Sequence, residues 1–264
     1  MWLFKSLNRF HAFGLHLLAS ASVVALSAAI VFLLWYPGLL AYASGVRDIF
    51  LLLVLVDVVL GPFITLIIFN SQKKQKKELR RDLTVVVVVQ LAALFYGLHT
   101  VFVTRPVYLA FNGGRFDLVH ANEISAENLA KATRPEYQSL SYWGFRIVAA
   151  PLPNDPKVAR GIVHSALSGG DDVQHMPQYY VPYEDQKMAV LKQLNSLDKL
   201  KLLNKDRLRE VEALIKKYYL MRKGVGYLPL KAKSHDLVVI IDRTTATVLG
   251  VSDLKPWSLG GGSK

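Results

Sequence analysis

Four polar residues set in apolar sequence are the ones whose chemistry demands an explanation: Asp57, Gln90, Tyr96 and His99. Asp57 lies near the middle of residues 49–69, IFLLLVLVDVVLGPFITLIIF, a run long enough to cross a bilayer at roughly 20 apolar residues. A carboxylate there costs roughly 2.5–3.5 kcal/mol on insertion scales, so it requires a partner, a water-filled cavity or a proton. Gly61-Pro62 follows one turn later. Pro62 lacks the N–H that would bond the Val58 carbonyl, which predicts a kink and a bare carbonyl beside the aspartate. If residues 49–69 run inward and residues 83–103 run back outward, Gln90, Tyr96 and His99 all fall within roughly 10 Å of Asp57 in depth, at 1.5 Å per residue. Such a set has three readings. It locks helices together, at about 1 kcal/mol per interhelical bond. It docks a positive or hydrogen-bonding group of another membrane helix. Or it relays protons, for which three helices leave little room.

Other chemistry is poorly supplied. His120, His164, His175 and His235 make no HExxH pair, and the chain has no G-x-S-x-G, P-loop or dinucleotide glycine pattern. Asp171, Asp172 and His175 are close enough in sequence to hold a metal, but Gly169-Gly170-Asp171-Asp172 reads as a surface loop. Cysteine is absent, which removes disulfides and thiolate metal sites. No catalytic residue, cofactor or metal is expected. Tyr179-Tyr180 and Tyr218-Tyr219 suit either a partner surface or ordinary packing.

The elements that must position Asp57 are three apolar runs, about 15–36, 49–69 and 83–103. They make residues 1–103 an α-helical membrane domain of three transmembrane helices. The first run ends in Trp35-Tyr36-Pro37-Gly38, an aromatic belt and a helix stop. Ala41-Tyr42-Ala43 fits a signal-peptidase site, but the apolar run is longer than a usual signal core, so an uncleaved anchor is expected. Between the second and third runs, Lys73, Lys74, Lys76, Lys77, Arg80 and Arg81 form a basic loop, whereas the first connection carries only Arg47 beside Asp48. The positive-inside rule then puts the N-terminus and the basic loop in the cytoplasm and everything after Val103 outside. The loop also suits anionic lipid.

Residues 104–264 read as an α+β domain on the outer side of the membrane. It holds 23 Lys/Arg against 16 Asp/Glu, part of a formal net charge of +12. That surplus suits anionic lipid or an acidic protein, and the topology argues against nucleic acid. Residues 106–111 and 116–121 form a hairpin about Asn112-Gly113-Gly114-Arg115, and Ser125 caps a short helix over 126–133. Residues 134–183 read as irregular. One or two half-buried helices span 184–221, and strands follow at 226–230, 237–242 and 247–251, with 237–241 in the sheet interior. The tail 260–264 is expected to be disordered.

Long stretches resemble one family. RFHAFGLHLLAS at 9–20, LLWYPGLLAYASG at 33–45, DIFLLLVLVDVVLGPFITLIIF at 48–69, LAALFYGLHTVFVTRPVYLAFNGGRFDLVHANEI at 91–124 and GVGYLPLKAKSHDLVVIIDRTTATVLGVSDLKPW at 224–257 are similar to the TfpX/TfpZ type IV pilin accessory proteins. The resemblance implies a bacterial inner-membrane protein, not an enzyme, that helps its cognate major pilin to be stabilised or assembled into pili. Its partner would be that pilin, through the membrane helix and the periplasmic head. Two other readings stand beside it: an enzyme that modifies pilin or envelope components, and a periplasmic sensing or scaffold module.

Overall fold

A computed structural model describes residues 8–69, 76–221 and 224–257. The chain divides into two compact units. One comprises Met1–Pro37 with Val46–Val103, the other Gly38–Gly45 with Thr104–Lys264.

The first unit contains three helices long and apolar enough to span a membrane: Arg9–Trp35, Val46–Ile68 and Lys77–Val103. Each begins before the apolar run that predicts it. Asn8 caps the first span by accepting the His11 N–H at 3.0 Å. The third helix starts inside the basic stretch, at Lys76, because Lys, Glu, Leu and Arg are good helix formers. Aromatic contacts join the spans along their length. Phe13 meets Phe63 edge-on at 5.6 Å, Phe32 meets Phe50 at 5.0 Å, and Trp35 meets Phe102 at 5.1 Å. The Tyr36 hydroxyl donates to the Val101 carbonyl at 2.9 Å. Among the described residues two stretches are wound as π-helix, Ile30–Trp35 and Leu55–Leu60, and the second contains Asp57.

The second unit is a curled, mixed α+β domain on one seven-stranded sheet, ordered β4-β3-β1-β2-β5-β6-β7. The strands are β1 (Pro106–Asn112), β2 (Arg115–His120), β3 (Arg146–Ala149), β4 (Val181–Pro182), β5 (Val225–Lys231), β6 (Leu237–Asp242) and β7 (Val248–Ser252). β1 and β2 form the expected hairpin, turned by Gly113 and Gly114 at φ +55° and +99°. β3 joins β1 in parallel and β5 joins β2 in parallel. The remaining neighbours are antiparallel. β6 lies between β5 and β7 and is buried throughout, as its unbroken apolar run requires.

Alternation along the strands divides the core. Leu109, Phe111, Phe116, Leu118, Leu228 and Val239 face one side. Tyr108, Ala110 and Val119 face the other side at one end, and Tyr227, Val238 and Ile240 face it at the opposite end. The Tyr183 hydroxyl donates to the Ala246 carbonyl at 2.6 Å, drawing the region after β4 toward the turn before β7. A cavity of about 520 Å³ opens there, lined by Tyr137, Arg146, Tyr183, Glu184 and Thr247 among others.

Two expectations are corrected. Residues 134–183 are not irregular throughout. They hold β3 and a twelve-residue helix, Pro156–Leu167, started by the Asp155 cap and the proline at its first position. Only Ile162 of that helix is buried, so its apolar signal is faint. Residues 184–221 hold three helices rather than one or two: Lys187–Gln193, Leu197–Leu203 and Leu208–Leu220. The first break has a definite cause. Asn195 leaves the helix to pair with Tyr227 through two backbone bonds of 3.0 and 3.2 Å, and Ser196 caps the helix that follows.

Candidate functional site

The expected membrane cluster forms in part, and with different members. Asp57 is 5% exposed and faces into the three-helix unit. Gly61 and Pro62 are buried beside it. Gln90 approaches from the third span and its Nε2 donates to the Asp57 backbone carbonyl at 3.2 Å. The expected bare carbonyl therefore lies one residue earlier than the α-helical register predicts. The Gly61 N–H bonds Val56 rather than Asp57, which shifts the local register to i−5. In that register residue 62 should donate to Asp57, and residue 62 is proline. The widened turn and the Gln90 amide together answer the missing donor.

Gly61 is what lets the amide approach. A Cβ there would lie 1.8 Å from Gln90 Nε2 and 2.4 Å from its Cδ. Gly97 similarly admits Leu53, whose Cδ2 would be 2.2 Å from an added Cβ. One turn below Gly61 and Pro62, Thr65 is 2% exposed and its hydroxyl lies 2.6 Å from His16 Nδ1 on the first span. His16, Asp57, Thr65 and Gln90 thus link all three spans. Both Asp57 carboxylate oxygens and Gln90 Oε1 are buried and make no hydrogen bond among the described residues.

Tyr96 and His99 are not part of this group. Tyr96 is 76% exposed and His99 is also exposed, on outward faces of the third helix. Equal depth with Asp57 leaves the direction around the helix axis open, and for both residues that direction is outward. His16 and Thr65 were missed because one sits near the start of its run and the other is a small residue among apolar neighbours. Of the basic stretch, Lys73 and Lys74 lie outside the described residues, as does the side chain of Lys76. Lys77, Arg80 and Arg81 are exposed on the first turns of the third helix. Arg81 pairs with Asp82 at 3.7 Å.

A second constellation lies wholly within the sheet unit and clasps residues 38–45. Leu40 and Ala43, from the short helix Leu40–Ala43, are buried in the core beside Leu109, Phe116 and Leu228. Burying one leucine this way contributes about 1.5–3 kcal/mol. The Ala43 carbonyl accepts from the Ser234 and His235 N–H groups at 2.9 and 3.2 Å. The His235 ring stacks on Tyr42 at 4.0 Å, and its Nδ1 lies 3.1 Å from the Tyr42 carbonyl. Gly45 closes the segment at φ +70°, with Ser234 Oγ where a Cβ would sit.

On the sheet side, His120 is buried. Its Nε2 lies 2.9 Å from Ser44 Oγ, and its Nδ1 lies 3.2 Å from Glu123 Oε2. The order serine, histidine, acid is that of a nucleophile relay. Here the same Glu123 oxygen also accepts the His120 backbone N–H at 2.8 Å, so the carboxylate caps the turn that follows β2. Burial pushes the Glu123 carboxyl up, but the hydrogen bonds and charge of His120, helped by His175, outweigh it and hold the group below its ordinary range. The arrangement fastens Ser44 to the sheet.

Nearby polar groups are structural. Asp171 accepts from Asn128 Nδ2 at 2.6 Å, and Asp172 caps the Val173–His175 turn. Among the described residues no group of three or more His, Asp or Glu side chains is placed to hold a metal. Asp117 is buried with Arg115 Nε 3.1 Å from both its oxygens. Burial raises its titration point, against the pull of Arg115. Tyr180 and Tyr218 are buried, and Tyr219 is exposed.

Comparison with known proteins adds to the geometry. The family model for the fimbrial assembly protein FimB matches residues 4–45. The chain is 29% identical over 247 residues to the serogroup I fimbrial assembly protein of Dichelobacter nodosus, covering 91% of this chain and 95% of that protein. It is 28% identical over 247 residues to the serogroup E1 protein, with the same coverage of 91% and 95%. It is 33% identical over 119 residues to the serogroups C1 and C2 protein, covering 45% of this chain and 90% of that one. No solved structure matches the chain.

Proposed function

This chain belongs to the fimbrial assembly protein FimB family, and from that premise we propose that it is an inner-membrane accessory protein that binds a major type IV pilin and supports its stability or assembly. The observation that carries this reading is similarity to fimbrial assembly proteins along nearly the whole chain, membrane spans and sheet domain together. A type IV pilin waits in the membrane as one apolar helix bearing a head outside it. A protein with spans and an external domain has a surface for each. The action is contact rather than catalysis, because the Ser44, His120 and Glu123 array is engaged in fastening residues 38–45.

The N-terminus and the basic stretch face the cytoplasm, where Lys73, Lys74, Lys76, Lys77, Arg80 and Arg81 meet anionic lipid. The sheet domain is periplasmic, and nucleic acid is not a partner. The buried place of residues 38–45 supports this topology, since a core segment lies on the same side of the bilayer as the sheet that encloses it. Asp57 organises the three spans from within. Its burial argues against direct contact with a pilin helix on the outer surface of the unit.

Deletion of the gene should lower surface pili, and a photo-crosslinker placed on Leu208–Leu220 should capture pilin as its main adduct. Unchanged piliation in the deletion strain would overturn the proposal. Asp57→Asn separates the roles: lower abundance of the accessory protein supports an organiser of the spans, whereas unaltered abundance and piliation leave Asp57 with neither role.

A further inference from the structure

Beyond the spans themselves, one loop of the sheet domain is built like a membrane contact. Tyr142 and Trp143 are 67% and 62% exposed, two adjacent large aromatics on the connection leading into β3. Their loop is fixed at both ends. Leu140 packs against one core cluster and Phe145 against another. Within it, the Ser141 hydroxyl donates to the Trp143 carbonyl at 2.6 Å and also lies 3.3 Å from the Trp143 N–H. Gly144 makes the turn at φ +65°. The rings are held out by a defined backbone.

The loop is also tied to one place in the chain. Arg105 is 5% exposed, and its Nε and Nη2 both donate to the Ser141 carbonyl, at 2.9 and 2.7 Å. Its guanidinium lies 5.8 Å from the centre of the Tyr142 ring. Arg105 is two residues beyond Val103, where the third span ends. Two residues of chain reach at most about 7 Å, which is about the depth of the headgroup layer on one side of a bilayer. The arginine therefore ties the aromatic loop to a backbone position only two residues along the chain from the end of the third span. Tyrosine and tryptophan are the side chains that favour this layer, with the ring body in apolar surroundings and the polar tip in water.

We propose that Tyr142 and Trp143 dip into the headgroup layer of the bilayer leaflet from which the third span emerges, making this loop an interfacial anchor for the sheet domain. The partner is the lipid surface. The test uses the full chain in phospholipid vesicles, comparing it with Trp143→Phe, which retains the other three of its four tryptophans. The fluorescence lost in the variant is the Trp143 signal. Lipids brominated near the headgroup should quench it about twofold more than lipids brominated near the chain ends, and acrylamide in the water should quench it weakly. Strong acrylamide quenching with no effect of either brominated lipid would overturn the proposal. Shielding from both quenchers that arises only when pilin is co-reconstituted would also overturn it, in favour of a protein contact. The natural absence of cysteine allows a second reading: Trp143→Cys carrying a nitroxide should be more accessible to oxygen than to an aqueous nickel chelate, and the reverse order would sink the idea.

Discussion

Gly61→Ala is the substitution whose cost the structure specifies most closely. The added methyl would start 1.8 Å from Gln90 Nε2, inside any possible contact distance. The amide must swing away, and its 3.2 Å bond to the Asp57 carbonyl is lost. Interhelical hydrogen bonds in membranes average about 0.6 kcal/mol and reach about 1.7. Overpacking adds about 1–3 kcal/mol where neighbours cannot give way. With a bond of average strength the loss should therefore fall at about 1.5–3.5 kcal/mol. The gain in helix propensity from glycine to alanine does not offset it when unfolding is driven by detergent denaturant, because the separated spans remain helical. The decisive comparison is a double-mutant cycle measured by equilibrium unfolding of the detergent-solubilised chain. Gln90→Ala removes both the clash and the bond, so adding Gly61→Ala to it should cost less than about 0.5 kcal/mol. If Gly61→Ala costs the same with and without Gln90, the close approach of the second and third spans is wrong.

Three further outcomes follow from the sheet unit. Ser44→Ala leaves His120 Nε2 without its 2.9 Å partner and should lower thermal stability by about 1 kcal/mol, read as a drop in the unfolding midpoint. Tyr183→Phe strands the buried Ala246 carbonyl, whose residue already sits at φ 57°, and should cost about 1–3 kcal/mol in the same assay. Glu123 is held below its ordinary range, so its stabilisation is present above the unfolded carboxylate pKa and lost as pH falls through the lowered folded value. Glu123→Gln should be less stable than the parent at neutral pH. Their midpoints should converge below about pH 4, and a constant gap down to that pH would contradict the assigned role.

What the sequence made legible tracks the strength of its local signals. Three spans and the interior place of the 237–241 strand were readable because their apolar runs are long and unbroken. Asp57 and Gln90 were findable because polar residues stand out in hydrocarbon. The azimuth of Tyr96 and His99 was not readable, since a slowly varying apolar helix has no polar face to mark direction. Neither was the i−5 register at Asp57, which arises from the joint demands of Pro62 and Gln90. His120 carried no hint of Ser44, because that pair is separated by 76 positions and depends on tertiary folding.

The interleaving of Gly38–Gly45 with strands made after residue 104 sets an order of assembly. Leu40 and Ala43 leave the ribosome some sixty residues before the first strand they support. The sheet then closes over a segment joined at both ends to helices apolar enough to span a membrane, so the sheet domain forms around a loop whose ends are already committed to the first two of them. A fragment beginning at Thr104 would carry an open apolar slot where Leu40 and Ala43 belong. A peptide spanning 38–45, added in trans, is the natural reagent to fill it.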